Sequence, residues 1–417
     1  MRKLAGLLLL IISGIQLSMA QVSFTAENKI YRPEISTVIC YNQQKEQSTP
    51  IIKLKSAERL ILSFDDLEGG SKNYWYTIEH YTHDWKPSNL SPIDYLESFP
   101  DDRIVDYAYS SNTLQKYTHY SLTLPNDQIR PKISGNYLLK VYVDGDLSKP
   151  VISQRFYVVE DRVNAGLEIL PSMQVPLRTS NQKINVSIFH TAAIQNPAAD
   201  VKVVLTQNNI PYTANTTTKP SLIKPGELGY RDPYTNDFPA GNEFRKFDIR
   251  SLRAKAEHVQ EIQRDTINKV LLFTDGVTSG KYVRIFDENG NFFIRNQDGR
   301  DEHTESDYAQ VSFSLKADQN LANKAIYVLG RFNNYSTSPK YKMHYDAASG
   351  IYTCSLKLKQ GLYDYKYALL DSINGKVNDT AIEGSYFETD NSYQVYVYYK
   401  KPGSRWEELI GYSQTSR

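Results

Sequence analysis

Residues 393–400 read YQVYVYYK, and this stretch decides the fold class. Its odd-numbered positions hold Tyr, Val, Val and Tyr, and they alternate with Gln, Tyr, Tyr and Lys. A period of two is typical of a strand with one buried face in an antiparallel sheet. The pattern returns at 183–188 (KINVSI) and 137–143 (YLLKVYV). We therefore predict an all-β protein of tandem immunoglobulin-like, early-set type antiparallel β-sandwiches with very little helix.

Local signals between these strands predict turns and one short helix. Asn289-Gly290 predicts a tight hairpin between strands at 283–286 and 292–295. Ser91 followed by Pro92 predicts a helical turn or two over 92–98. Residues 252–264 have a helix-compatible composition but poor apolar spacing, so we expect extended structure there.

Charge and the N-terminus indicate an exported protein without a nucleic-acid partner. The 417-residue chain carries 48 Lys and Arg against 47 Asp and Glu, with no basic stripe. Residues 1–20 have two basic residues, an apolar run and the small-residue ending Ser18-Met19-Ala20, which together predict a signal peptide. The alternative is a membrane anchor, but the run is shorter than the roughly 20 residues that a spanning helix needs.

A chain of this length is expected to fold as several domains. Shifts in composition predict a first sandwich over 21–160 and a middle sandwich over 161–316, with a polar excursion at 207–241 that is either functional or mobile. A smaller sandwich is predicted over 317–401, and 402–417 is a tail that either frays or docks. Of the two cysteines, Cys354 is expected as a buried small hydrophobe rather than in a disulfide with Cys40.

No recognised catalytic, metal or cofactor motif is present in the sequence. His80, His83 and Asp84 lie within HYTHD, but a zinc site needs three or four ligands with defined geometry, and no further His or Cys cluster completes this one. We expect no catalytic residue, no metal and no cofactor, and therefore a protein that is not an enzyme. A hydrolase with an unrecognised site remains an alternative.

An aromatic segment over 85–109 is the candidate partner-binding region. The aromatic side chains either fold back into a small core or cover a partner surface, since Trp and Tyr dominate interface energetics. The candidate residues are Trp85, Pro87, Asn89, Tyr95, Phe99, Tyr107 and Tyr109.

The C-terminal region resembles a sugar-binding module. VLGRFNNY (328–335), MHYD (343–346) and GLYDYKY (361–367) are similar to early-set, glycogen-binding type sandwiches, which stack sugars on exposed indoles. Tyr335 stands where such a module usually has Trp. The resemblance supports the fold, and it makes Tyr335 the candidate contact for a glycan-binding alternative.

The chain as a whole resembles the plug proteins of the type IX secretion system of Bacteroidetes. The resemblance rests on phrases that follow one another along nearly the whole mature chain: NTLQKYTHYSLTLPN (112–126), SGNYLLKVYVDGD (134–146), EFRKFDIRSL (243–252), ESDYAQVSFSL (305–315) and EGSYFETDNSYQVYVYYK (383–400).

That resemblance implies a periplasmic protein at the inner face of the outer membrane. Its implied partner is the β-barrel translocon, which it would seal, as a monomer within the complex, when no substrate is in transit. It would neither span the membrane nor bind nucleic acid. The alternative is a periplasmic glycan-binding or scaffold module acting through the C-terminal sandwich.

Overall fold

The computed structural model describes residues 23–191, 194–318 and 324–417. Strands make up 46% of the residues and helices 6%, which confirms the predicted all-β class. The predicted signal peptide, residues 1–20, lies outside the described residues. No helix in the described part of the chain is long and apolar enough to cross a membrane.

The first stretch of the chain contains ten strands and one helix. They are β1 (Lys29–Ile30), β2 (Ile35–Asn42), β3 (Ile51–Lys53), β4 (Leu60–Asp66), β5 (Tyr74–Tyr81), α1 (Pro92–Tyr95), β6 (Asp101–Arg103), β7 (Asp106–Tyr109), β8 (Thr118–Leu124), β9 (Gly135–Val143) and β10 (Pro150–Val159). Helix α1 begins at the predicted proline and is shorter than predicted.

The described part of the second stretch contains seven strands, one α-helix and two short 3-10 helices, at Val175–Leu177 and Pro211–Thr213. The strands and the α-helix are β11 (Asn164–Pro171), β12 (Asn181–Phe189), α2 (Pro197–Asp200), β13 (Val201–Gln207), β14 (Asn215–Thr217), β15 (Leu222–Lys224), β16 (Glu227–Tyr230) and β17 (Asp237–Pro239).

The described residues of the remainder form thirteen strands, one α-helix and two short 3-10 helices, at Arg331–Asn333 and Pro339–Tyr341. The strands and the α-helix are β18 (Arg245–Asp248), β19 (Val259–Arg264), β20 (Asn268–Leu272), β21 (Asp275–Gly276), β22 (Phe292–Ile294), β23 (Tyr308–Lys316), β24 (Lys324–Leu329), β25 (His344–Asp346), β26 (Ile351–Lys359), β27 (Gly361–Asp371), β28 (Val377–Asn378), α3 (Thr380–Glu383), β29 (Ser392–Tyr399) and β30 (Glu408–Ser416).

The first sandwich consists of β1–β10. One sheet has the order β1-β10-β9-β5-β6, with β3 beside β10, and the other has the order β2-β4-β8-β7. Aromatic side chains from both sheets meet in the core: Phe64 stacks on Tyr120 with ring centroids 5.2 Å apart, and Tyr74 meets Tyr120 edge-on at 4.8 Å. Tyr137, Leu139 and Val141 of β9 face this core, as the alternation predicts, but Leu138 and Tyr142 on the other face are buried as well, so the strand is not half-buried.

The middle sandwich is assembled from two distant parts of the chain. One sheet has the order β11-β12-β16-β15, with β17 beside β12, and the other has the order β14-β13-β29-β30. Val203 of β13 lies opposite Val397 of β29, and Val397 lies opposite Gly411 of β30. The C-terminal strands therefore complete a sheet that starts near residue 201.

The third sandwich consists of β18–β28 and is inserted between β17 and β29. Its sheets have the orders β19-β20-β23-β26-β25, with β21 beside β23, and β18-β27-β22, with β24 and β28 also on β27. Its core joins both sheets, for example where the ring of Phe247 in β18 meets that of Phe313 in β23 edge-on with centroids 5.5 Å apart.

These pairings correct two predicted domain boundaries and show where the 207–241 excursion lies. The boundary at 316/317 is wrong because β23 pairs with β26 within the third sandwich. Strand β29, predicted to close a sandwich ending at 401, pairs with β13, and the predicted tail contains β30. The 207–241 excursion contributes β14–β17 to both sheets of the middle sandwich. Alternation identifies a strand, but it does not identify the distant partner that the strand pairs with.

Of the smaller predictions, one hairpin is wrong, whereas the extended segment near residue 260 and the free, buried cysteines agree with the structure. Residues 259–264 are extended, in β19, as expected for the C-terminal half of 252–264. The hairpin at Asn289-Gly290 is wrong: a turn is present, but 283–286 is not a strand, and β22 pairs with β27. Cys40 and Cys354 are free and buried, and burial raises the pKa of their thiols to about 12 and about 11.

Candidate partner-binding surface

Trp85 lies at an internal junction rather than on an outer face. Its backbone is left-handed, with φ of 61°. The Cζ atom of Arg155 lies 4.2 Å from the centroid of the indole, and the Tyr157 ring meets the indole edge-on with centroids 5.5 Å apart. Tyr157 stacks in turn on Tyr396 of the middle sandwich at 4.5 Å. The indole is therefore half-buried between the first and middle sandwiches.

Tyr95, the fourth candidate residue, belongs to the core of the first sandwich. Its side chain is only 5% exposed, and its ring centroid lies 6.2 Å from that of Tyr137. A buried ring cannot contact a partner from the surface, so the predicted partner role of Tyr95 is wrong. Pro87 and Asn89 are exposed in the loop after β5, and Asn89 is held in a left-handed conformation with φ of 56°.

The remaining three candidates are exposed along one edge of the first sandwich. Strand β6 is the edge of one sheet, β7 is the edge of the other, and the chain crosses directly between them. We call Phe99, Val105, Tyr107 and Tyr109 the edge patch; their exposed fractions are 61%, 69%, 46% and 57%. Val105 was missed by the sequence reasoning, although it stands in period-two register with Tyr107 and Tyr109.

The edge patch leaves backbone and aromatic groups free for a partner. Every residue of β7 is exposed, and within the described part of the chain this strand pairs on one side only, with β8. The rings of Tyr107 and Tyr109 meet edge-on with centroids 5.7 Å apart. An exposed sheet edge is a template for pairing with another chain, and apolar side chains beside it add contact area.

A buried ionic cluster joins the first and third sandwiches. The carboxylate of Asp65 lies 2.7 Å from Nζ of Lys359, 2.7 Å from Nδ1 of His119 and 2.7 Å from the hydroxyl of Tyr308. Nζ of Lys359 also lies 4.1 Å from the ring centroid of Tyr117. Burial opposes both charges and lowers the pKa of Lys359, whereas Lys359 and His119 together hold the pKa of Asp65 below its usual value.

A second charged contact joins the first and middle sandwiches. Nδ1 of His83 lies 2.7 Å from the Glu407 carboxylate, which also pairs with Lys202. Burial opposes the charge of Glu407, but His83 and Lys202 lower its pKa to about 2. The hydroxyl of Tyr398 donates to Oδ1 of Asn136 at 2.6 Å across the same junction.

These contacts account for the two histidines of HYTHD. His83 is bound to Glu407, while His80 is buried in the first sandwich, where desolvation lowers its pKa to about 4. The described residues contain no group of three His, Cys, Asp or Glu side chains that could hold a metal. Tyr335 is only 7% exposed, so it does not present the free ring face that sugar stacking requires, and its assignment as a glycan platform is wrong.

The protein thus belongs to the class of multidomain proteins built from immunoglobulin-like sandwiches. Buried charges join its three all-β sandwiches, and one of them carries an exposed aromatic edge. A family model described as "Type 9 secretion system plug protein 1st domain" matches residues 35–160. The crystal structure of a hypothetical protein from Parabacteroides merdae is 32% identical, covers 95% of this chain and 100% of its own, and superposes with a TM-score of 0.91. Residues 35–160 therefore belong to the family of type 9 secretion system plug protein first domains.

Two further comparisons add nothing to that assignment. No curated protein matches the sequence. The structure of dimeric latent PorU from Porphyromonas gingivalis is 10% identical, over 91% of this chain and 34% of its own, and its TM-score of 0.14 is too low to bear on the fold.

Proposed function

We propose that this protein is a non-enzymatic periplasmic plug. It binds the outer-membrane translocon barrel of the type 9 secretion system and seals its periplasmic opening when no substrate is in transit. Membership of the plug family supports a role in type 9 secretion and a periplasmic location. The barrel as partner and the sealing action are the steps that the proposal adds.

The observation that best supports the proposal is that buried contacts hold the three sandwiches in a fixed arrangement. An obstruction must hold its shape against the opening that it covers. Asp65 with Lys359 fixes the first sandwich to the third, and His83 with Glu407 fixes it to the middle one. A domain of about 140 residues has a radius of gyration near 14 Å, so several locked sandwiches form an obstacle far wider than one domain.

The contact with the barrel has to be reversible, because substrates must pass. Reversible interfaces are of modest size and are about as polar as the rest of a protein surface. The edge patch fits this requirement: it offers four apolar or aromatic side chains beside a sheet edge, surrounded by charged residues such as Asp101 and Asp106. We assign the barrel-facing contact to this patch.

Two experiments test the proposal. A deletion strain in which secretion is arrested is expected to become permeable to small antibiotics that the parent excludes. Complementation with the wild-type gene should restore the barrier, whereas a Phe99→Ala, Tyr107→Ala, Tyr109→Ala variant should restore it poorly and should co-purify less translocon from solubilised envelope.

A matched control is available elsewhere on the surface. Tyr234 and Phe286 are 77% and 75% exposed and lie outside the edge patch. Their double alanine variant should restore the barrier fully. If the deletion strain excludes small antibiotics as well as its parent does, the plug function is wrong. If the deletion strain is permeable but the edge-patch variant restores the barrier as fully as the wild-type gene, the docking face is wrong.

A further inference from the structure

A cavity of about 360 Å³ lies where the three sandwiches meet. Trp85 and Arg155 come from the first sandwich, Thr206 and Tyr396 from the middle sandwich, and Arg331 from the third. Clefts of this size between domains are the usual location of small-ligand sites. None of the contacts that join the sandwiches fills it.

Two guanidinium groups face this cavity without a carboxylate partner among the described residues. Arg155 donates to the carbonyl oxygen of Ala26 at 2.7 Å and lies over the Trp85 indole. Arg331 donates to the carbonyl oxygen of Ser48 at 2.8 Å and to Oδ1 of Asn291 at 2.6 Å. Neutral oxygens satisfy hydrogen bonds, but they do not neutralise two positive charges held in one half-buried space.

A buried amide nitrogen, Nε2 of Gln47, also lines the cavity and lacks an acceptor. Gln47 is only 5% exposed. A buried amide nitrogen without an acceptor is costly, and few occur in folded proteins. Two guanidinium groups and this amide supply donors only, which is the complement of an oxyanion.

Among the described residues, Asp84 is the one carboxylate that lines the cavity, and it already has partners. Oδ2 of Asp84 lies 2.7 Å from Nζ of Lys86, and Oδ1 accepts a hydrogen bond from the hydroxyl of Thr82 at 2.6 Å. The charge of Asp84 is therefore offset locally by Lys86. The positive charge of the two arginines remains.

Backbone strain is concentrated around the same cavity. Five non-glycine residues that line it have a left-handed backbone, with φ between 53° and 61°: Gln47, Trp85, Asn209, Asn334 and Tyr335. For bulky residues such as Trp and Tyr this conformation is a genuine outlier. Strain of this kind clusters at ligand-binding sites, where the surrounding structure holds it in place.

We propose that this cavity is an oxyanion-binding site, which takes a carboxylate or phosphate group between Arg155, Arg331 and the Gln47 amide. The bound anion supplies the missing negative charge at the point where the three sandwiches converge. Its binding therefore stabilises the closed arrangement of all three.

Thermal unfolding of the full chain with added inorganic phosphate, or with acetate, tests this proposal at constant ionic strength set by sodium chloride. The wild type is expected to show a saturable rise in Tm of about 2 °C or more with at least one anion. A rise with phosphate alone identifies a phosphate group, whereas a rise with acetate identifies a carboxylate.

Two variants localise the effect. Gln47→Glu places a fixed carboxylate in the cavity, so it should unfold at a higher temperature than the wild type without added anion and should lose the response. Arg155→Gln should lose the response without that gain. Arg284→Gln is the control, because Arg284 is 75% exposed and pairs with Asp390 elsewhere, and it should respond like the wild type.

A direct measurement removes dependence on the folding of any variant. Where phosphate raises Tm, a wild-type crystal soaked in arsenate, which mimics phosphate, should show anomalous density between Arg155 and Arg331. The proposal is overturned if neither anion raises Tm, if Gln47→Glu and Arg284→Gln respond equally, or if the anomalous density lies elsewhere.

Discussion

Nζ of Lys359 lies 2.7 Å from Oδ2 of Asp65, although the two residues are 294 positions apart in the chain. Their side chains are 1% and 0% exposed. A buried pair of this kind is costly to break from one side, because the remaining charge stays away from solvent and loses an opposite charge. It therefore fixes how the first and third sandwiches meet.

Lys359→Met is accordingly expected to lower the free energy of unfolding by about 3–5 kcal/mol, since it leaves the Asp65 carboxylate buried with less compensation. Asp65→Asn combined with Lys359→Met should cost less than the sum of the two single changes. Urea denaturation measures all three. Lys53→Ala is the control: Lys53 pairs with Asp161 at 2.8 Å, but its side chain is 55% exposed, so the cost should stay below about 1 kcal/mol.

Acid should loosen the junction between the first and middle sandwiches. The pKa of Glu407 is about 2 in the folded protein and 4.5 for the free group, so the folded state binds the proton less tightly. The stability that Glu407 contributes is full above pH 4.5 and is lost as pH falls towards 2.

Glu407→Gln should therefore reduce the free energy of unfolding at pH 7 by about 2–3 kcal/mol and flatten its decline below pH 4.5. Chemical denaturation at several pH values measures this profile. Glu388→Gln, at an exposed position, should keep the wild-type profile. Parallel profiles for Glu407→Gln and wild type would contradict the assignment.

The buried carboxyl of Asp364 is expected to give stability the opposite dependence on pH. Burial, with the nearby charge of Asp287, raises the pKa of its carboxyl from 3.8 to about 8. The folded protein thus holds this proton more tightly than the unfolded chain, and the stability it contributes is lost as pH rises from 3.8 to 8. Backbone N–H groups of Glu288 and Gly290 donate to Oδ2 at 2.6 and 3.1 Å.

Asp364→Asn keeps an acceptor for those two N–H groups and removes the charge. The variant should be more stable than the wild type at pH 8 by at least about 1 kcal/mol, with a smaller difference at pH 4. Denaturation at both values measures the change. Asp127→Asn, whose side chain is 98% exposed, should leave stability unchanged within about 0.5 kcal/mol.

The aromatic segment should separate into a structural part and a surface part. Tyr95→Ala removes a ring from the core and should cost about 3–5 kcal/mol of stability. Phe99→Ala and Tyr109→Ala remove exposed side chains and should each change it by no more than about 0.5 kcal/mol. Thermal unfolding distinguishes the two groups, and a large loss for Phe99→Ala would contradict the placement of the edge patch.

Sequence reasoning predicted strands well and their partners poorly, for a physical reason. Alternation in residues 393–400 reports which side chains are buried, and those positions do lie in β29. It contains no information that Val397 pairs with Val203 across the chain. Shifts in composition placed the start of the last sandwich at residue 317, whereas the third sandwich starts near residue 245.

Only part of the candidate surface was predicted correctly, because the sequence does not report which aromatic side chains turn inwards. Tyr95 and Phe99 are both aromatic and only four positions apart, yet one is 5% and the other 61% exposed. Composition cannot distinguish them, because helix α1 turns Tyr95 inwards before the chain reaches the sheet edge. The contacts of Asp65 and His83 were missed for want of any local signal, since their partners lie hundreds of positions away.

The insertion of the third sandwich between β17 and β29 has a consequence for how the protein is made. The inserted unit holds all its strands within one continuous stretch and can close as soon as that stretch has emerged. The middle sandwich has to wait for residues 392–416, since β29 and β30 form half of one of its sheets. A chain cut short before residue 392 would thus contain a folded third sandwich inserted in an incomplete middle sandwich. The edge of β13 that normally pairs with β29 would then be exposed and prone to aggregation.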